Sequence, residues 1–106
     1  MATGILGAAN LPSGTPTILY TVPNETFSVI TINVTNRNTN SVNIRIAISD
    51  SATPNDADYI EYDTELLANG VIERSGVVVD AGKNIIVFSD SANVNAISYG
   101  IETPTS

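Results

Sequence analysis

The sequence predicts an all-β fold: a single antiparallel β-sandwich of about eight strands, in jelly-roll or immunoglobulin-like order. Three observations lead there. Thr26 to Asn36 (TFSVITINVTN) and Val42 to Ser49 (VNIRIAIS) alternate apolar and polar residues, the period of a strand with one face in a core. Clusters of Asn, Gly, Asp, Pro and Ser break the chain roughly every eight to twelve residues, the spacing of short strands in a sandwich. β-Branched residues run throughout, and no apolar stripe of helical period is visible.

Taken in order, Met1 to Thr17 holds Gly4, Gly7, Pro12, Gly14 and Pro16. That density of breakers argues against a core strand or a long helix. The expected organisation is an extended N-terminal arm over residues 1–17, a sandwich over 18–102 and a tail over 103–106. Ile5, Leu6 and Leu11 would anchor the arm, since apolar residues on an arm need a neighbouring surface to bury them. Ile18 to Val22 reads as a strand stopped by Pro23. Phe27 to Asn36 follows, with Ile30, Ile32 and Val34 inward. Val42 to Ser49 answers it, with Val42, Ile44, Ile46 and Ile48 inward and Asn43, Arg45, Ala47 and Ser49 outward. The linking NRNTNS is turn chemistry, so the two segments are expected to pair as a long hairpin.

Ser49 to Asp58 is a loop and Tyr59 to Asp63 a short strand. Asp63 to Asn69 leaves room for one helical turn at most. Strands at Val71 to Arg74, Val77 to Val79, Asn84 to Ser89 and Asn93 to Ile101 complete the set. The apolar run Ile85 to Phe88 suits a strand covered on both faces. SDSA occurs at Ser49 to Ala52 and again at Ser89 to Ala92. A real echo there would bring both loops to one end of the sandwich.

Composition narrows the function. The 106 residues amount to one domain, and 42% hydrophobic content suffices for a modest core. Only 14% are charged, so the polar surface is mostly Asn, Thr and Ser. The net charge is −7, and Arg37, Arg45, Arg74 and Lys83 are the only basic side chains. Nucleic-acid binding needs a basic patch to neutralise phosphates, and these four cannot make one. Anionic membrane surfaces are disfavoured on the same ground. Met1 to Asn10 lacks the basic start and long apolar centre of a signal peptide, so no secretion signal is expected.

There is no Cys, no His and no Trp. That removes thiolate chemistry, the commonest general base and the best stacking platform for sugars. No catalytic set and no cofactor are expected. Asp56, Asp58, Glu61 and Asp63 are the candidate Ca²⁺ ligands, but they lack the Gly and terminal Glu of an EF-hand loop. Asn24-Glu25-Thr26 and Asn33-Val34-Thr35 fit the N-glycosylation pattern and read as chance matches. Arg45 and Arg74 would either pair with an acid on a neighbouring strand or join Ile5, Leu6 and Leu11 in a subunit contact. In Tyr59-Ile60-Glu61-Tyr62, strand alternation puts the two tyrosines on opposite faces.

Three stretches carry a resemblance: LYTVPNETFSVITINVTNRNTNSVNIRIAIS, DYIEYDTELLANGVIERSGVVVDAG and ISYGIE. Between Leu19 and Glu102 the chain resembles a group of small virion structural proteins of tailed bacteriophages, phages of cyanobacteria included. The shared elements are the LYTVP strand, the V-x-N-R turn, YIEYD and the GV-x-E-R-S-G segment. The chain departs from the group at Asn24-Glu25, where members often have a Gly. The resemblance implies a β-sandwich that assembles on the particle. The expected function is that of a capsid decoration (cement) subunit on the outer virion surface, made in the host cytoplasm. It would be homo-oligomeric, with the major capsid protein or another virion protein as partner. A neck, tail or fibre-attachment component is the alternative within the virion, and a carbohydrate-binding module the alternative outside it.

Overall fold

A computed structural model describes residues 3–105. Met1, Ala2 and Ser106, at the ends of the expected arm and tail, lie outside them. The described residues form eight strands: β1 (Thr3–Leu11), β2 (Thr17–Thr21), β3 (Thr26–Asn36), β4 (Val42–Ser49), β5 (Tyr59–Leu66), β6 (Val71–Val79), β7 (Asn84–Ser89) and β8 (Val94–Pro104). One 3-10 turn, Asp56–Asp58, precedes β5. The strands make two four-stranded antiparallel sheets, ordered β1-β8-β3-β6 and β2-β7-β4-β5. Of the expected alternatives, this is jelly-roll order. Every connection except β4–β5 crosses from one sheet to the other.

The core lies between the sheets and is built by alternation. Ile30, Ile32 and Val34 from β3 face Val42, Ile44 and Ile46 from β4, with Ile85, Val87, Val94 and Ala96 filling the middle. Such burial of branched aliphatic side chains is the main force holding two sheets together. The expected inward positions hold as far as Ile46. Beyond it β5 shifts register against β4 at Ile46 and again at Ala47. Ala47 and Ser49, expected outward, are buried, and Ile48 is half-buried. Ala47 and Ile86 sit opposite each other and are buried outside the inter-sheet core. β7 is thus covered on both faces, as its apolar run required.

Several expectations change, and the strands expected at Val71 to Arg74 and Val77 to Val79 are one, β6. The N-terminal segment is no free arm. Thr3–Leu11 is an edge strand paired along its length with β8, and Leu11 is 1% exposed inside the core. The breakers are accommodated because Pro12 and Pro16 fall between strands and Gly7 meets a crossing chain. A Cβ on Gly7 would stand 2.1 Å from the Leu19 carbonyl oxygen. Second, β3 and β4 do not pair as a hairpin. They belong to different sheets, and residues 37–41 bridge the gap between layers. Third, the two SDSA loops leave opposite ends, since β4 and β7 are antiparallel with Ser49 opposite Asn84 and Ser89 opposite Ile44. What they share is local: the Ser51 and Ser91 amides donate to the hydroxyls of Ser49 and Ser89, two residues back. The β8 strand also takes in Thr103 and Pro104 from the expected tail. Segment Asp63–Asn69 makes no helical turn, because β5 runs on to Leu66.

One end of the sandwich is tied by asparagine. Asn36, fully buried at the end of β3, donates from its amide nitrogen to the carbonyls of Asn40 (2.9 Å), Leu66 (3.1 Å) and Leu67 (3.0 Å). Its amide oxygen accepts from the Asn38 backbone N–H at 2.9 Å. Asn38 in turn donates to the Ala92 carbonyl, and Arg37 donates to the Asn10 side-chain oxygen. The loops after β3, β5 and β7 are thereby fastened to one another. At the other end, Glu25 stands at φ 55° in the turn before β3, a left-handed position that favours Gly.

Candidate functional site

Among the described residues, the acidic segment does not assemble into a metal site. No three of its carboxylates converge. Each candidate ligand but one has a separate partner. Asp58 accepts from the Asn55 backbone N–H at 2.8 Å, capping the 3-10 turn. Glu61 pairs with Arg74 at 3.0 Å and accepts from the Thr64 hydroxyl at 2.7 Å. Asp63 holds Arg45 through two bonds of 2.6 and 3.2 Å. The Arg45 hydrogen bond keeps the Asp63 carboxyl below its ordinary pKa and raises that of the guanidinium. Asp56 alone of the four makes no hydrogen bond or ion pair with the described residues.

The proposed contact residues separate in the same way. Leu11 is core and Leu6 packs partly against it. Arg45 and Arg74 are engaged within the chain, Arg74 linking β6 of one sheet to β5 of the other. Of the set, only Ile5 is both apolar and open, at 71% exposure.

Two surfaces remain. On the outer face of the β1-β8-β3-β6 sheet, Ile5 lies opposite Tyr99, and Val29 stands between Ile101 and Val78. Val78 is 67% and Ile101 47% exposed. With half-buried Ile97 on the same face of β8, these residues form an apolar band across the four strands. Tyr99 donates to Glu73 at 3.0 Å across β3, which raises its own pKa and closes the band on the β6 side with a polar pair.

The second surface was hidden from the sequence. Asp56, Tyr59 and Tyr62 line a cleft of about 440 Å³. The register shift between Tyr59, opposite Ala47, and Glu61, opposite Ile46, undoes the strict alternation between the two tyrosines, whose rings meet on one side. Their ring centroids are 4.9 Å apart with planes at 81°, the favoured edge-to-face arrangement. The Arg45 guanidinium lies 4.2 Å from the Tyr62 centroid and 5.0 Å from that of Phe88. The sequence signal for a bulge was slight: an Asp in mid-strand between two aromatic residues and an acid.

A buried polar cluster sits apart from both surfaces. The Tyr20 hydroxyl donates to Glu102 at 2.5 Å and shares a 2.7 Å bond with Ser28, all three residues being buried. Burial, then the Glu102 hydrogen bond, pushes the Tyr20 pKa up to about 12 from 10.0. In the unfolded chain the phenol ionises first. Its contribution is therefore complete below pH 10 and is lost as pH rises towards 12. Native Tyr20→Phe and the parent protein should differ most below pH 10. Urea midpoints measured at stepped alkaline pH should fall for the parent by the equivalent of about 3 kcal/mol, and less steeply for the variant.

Comparison with known proteins adds no relative. No family model matches the chain, and no curated protein or solved structure matches it.

Proposed function

We propose that this chain is a structural subunit of a tailed-phage particle, a capsid decoration protein that stabilises the shell by protein–protein contact. The observation that carries this reading is the apolar band of Ile5, Val29, Val78, Tyr99 and Ile101 on the outer face of one sheet. An apolar patch across four strands marks a surface that is covered in use. The Asn- and Thr-rich remainder and the charge of −7 keep the free subunit soluble until it meets its site. The sequence resemblance supplies the particle. The jelly-roll order is compatible with it, since that architecture serves capsid and lectin domains alike.

Quantitative mass spectrometry of purified virions, counting this chain against the major capsid protein, is the test. A copy number comparable with the major capsid protein is expected. A small fraction of it would move the chain to the neck, tail or fibres, and none at all would end the virion reading. The band itself is tested by Val78→Lys with Ile101→Lys. These exposed changes should leave the unfolding midpoint within about 1 kcal/mol, while assembly onto particles lacking the protein is lost. Retained assembly would clear the band of the contact.

A further inference from the structure

We propose that the open cleft lined by Tyr59, Tyr62 and Asp56 receives a cationic side chain, a lysine ammonium or an arginine guanidinium, from the partner protein. The inference rests on the reading of the chain as a contact protein and adds the chemistry of one contact. The cleft is large enough for such a group, at about 440 Å³. The two rings touch edge to face at 81°, so the π surface open to a ligand lies beside the pair and away from Arg45, and π faces attract cations through the ring quadrupole. The chain already uses this chemistry itself, holding Arg45 at 4.2 Å over Tyr62.

Charge decides between a cation and other occupants. Arg45 is matched by Asp63, Lys83 by Asp50, and Arg74 by Glu61. Asp58 is engaged in capping the 3-10 turn. Asp56 is left without a partner among the described residues, at the mouth of an aromatic cleft, on a chain of net charge −7. A neutral sugar could stack on the rings and donate hydroxyls to the Asp56 carboxylate, but it would not neutralise the charge. An incoming ammonium or guanidinium answers both.

The test is an NMR titration of the full chain with Nα-acetyl-lysine amide, following the Tyr59 and Tyr62 ring signals. Its Nε-acetylated, neutral counterpart and methyl glucoside serve as comparison probes. Saturable shifts confined to the two rings and Asp56 are expected with the charged probe and not with the other two. Asp56→Asn, at an exposed residue without partners, should leave the fold intact and weaken binding about fivefold. Shifts spread over the whole acidic surface and unaffected by Asp56→Asn would overturn the site. So would equal or stronger response to the neutral probe or the glucoside. Neither result bears on the presence of the chain in virions, which mass spectrometry reads separately.

Discussion

Asn36→Leu should lower stability by about 4 kcal/mol, though it swaps one buried side chain for another of similar size. The amide answers four backbone groups at once: the carbonyls of Asn40, Leu66 and Leu67 and the N–H of Asn38. A buried polar group left without a partner costs about 1–3 kcal/mol. Asn40 and Leu67 are exposed, so water can serve part of the deficit. Leu66 is buried, and its carbonyl has less access. The predicted loss is a large share of the roughly 5–15 kcal/mol available to a domain. In urea it should appear as a lower midpoint with an unchanged slope. Asn36→Asp separates donor from volume. It keeps the acceptor for Asn38 but aims an oxygen at three carbonyls. That repulsion and burial would raise the new carboxyl's pKa, so its deficit should shrink as pH falls through the carboxylate range. A deficit independent of pH would show that the amide hydrogens are not what ties the loops.

Asn36 also shows why the strands were readable and their partners were not. Alternation in β3 and β4 identified Ile30, Ile32, Val34, Val42, Ile44 and Ile46 as core, and all six are buried. A period of two reports which face is covered but is silent about the neighbour. A hairpin and a crossing between sheets satisfy the same pattern, and sheets pack only about 10 Å apart, a gap five residues can span. The crossing goes with tertiary bonds from Asn36 to Leu66 and Leu67, some thirty residues away in sequence, which alternation does not report.

The N-terminal strand and the tyrosine pair failed for opposite reasons. In Thr3–Leu11 the glycines read as breakers, yet Gly7 is where Leu19 of the crossing strand comes closest. A glycine in a strand marks close backbone approach as readily as a break. In Tyr59–Leu66 the sequence carries no glycine at all, and register shifts break an alternation that nothing local interrupts. Spacing along a chain also cannot show that Glu61 and Asp63, candidate Ca²⁺ ligands, pair with Arg74 and Arg45. Arg45 meets a cross-strand acid, Asp63 of the neighbouring β5, as strand geometry allows, whereas Arg74 finds Glu61 across the two sheets, a partner that strand pairing does not indicate.

Gly100→Ala should prevent folding altogether. Gly100 lies in β8, a central strand with β1 on one side and β3 on the other, opposite Gly4 and Ile30. A Cβ there would stand 2.1 Å from the Val29 carbonyl oxygen and 2.9 Å from the Ile30 Cα. Both are backbone atoms of the paired strand, so no side chain can swing aside. Relief requires β3 and β8 to part over the ladder that joins them from Thr26–Pro104 to Asn36–Val94. Single substitutions rarely cost more than about 4–5 kcal/mol, and backbone overlap in a central strand belongs to that class. The far-ultraviolet spectrum of the variant should lose its β signature, or the protein should accumulate as insoluble material. Ser98→Ala, two residues away on the same strand, is the control. The Ser98 hydroxyl is buried and has no partner among the described residues. Removing it deletes an unsatisfied group and adds no atom, so stability should hold or rise by up to about 1 kcal/mol. If Gly100→Ala folded normally, β8 could not run against β3 as closely as described, and the outer apolar band that Ile101 and Tyr99 share with Val29 would lose its geometry.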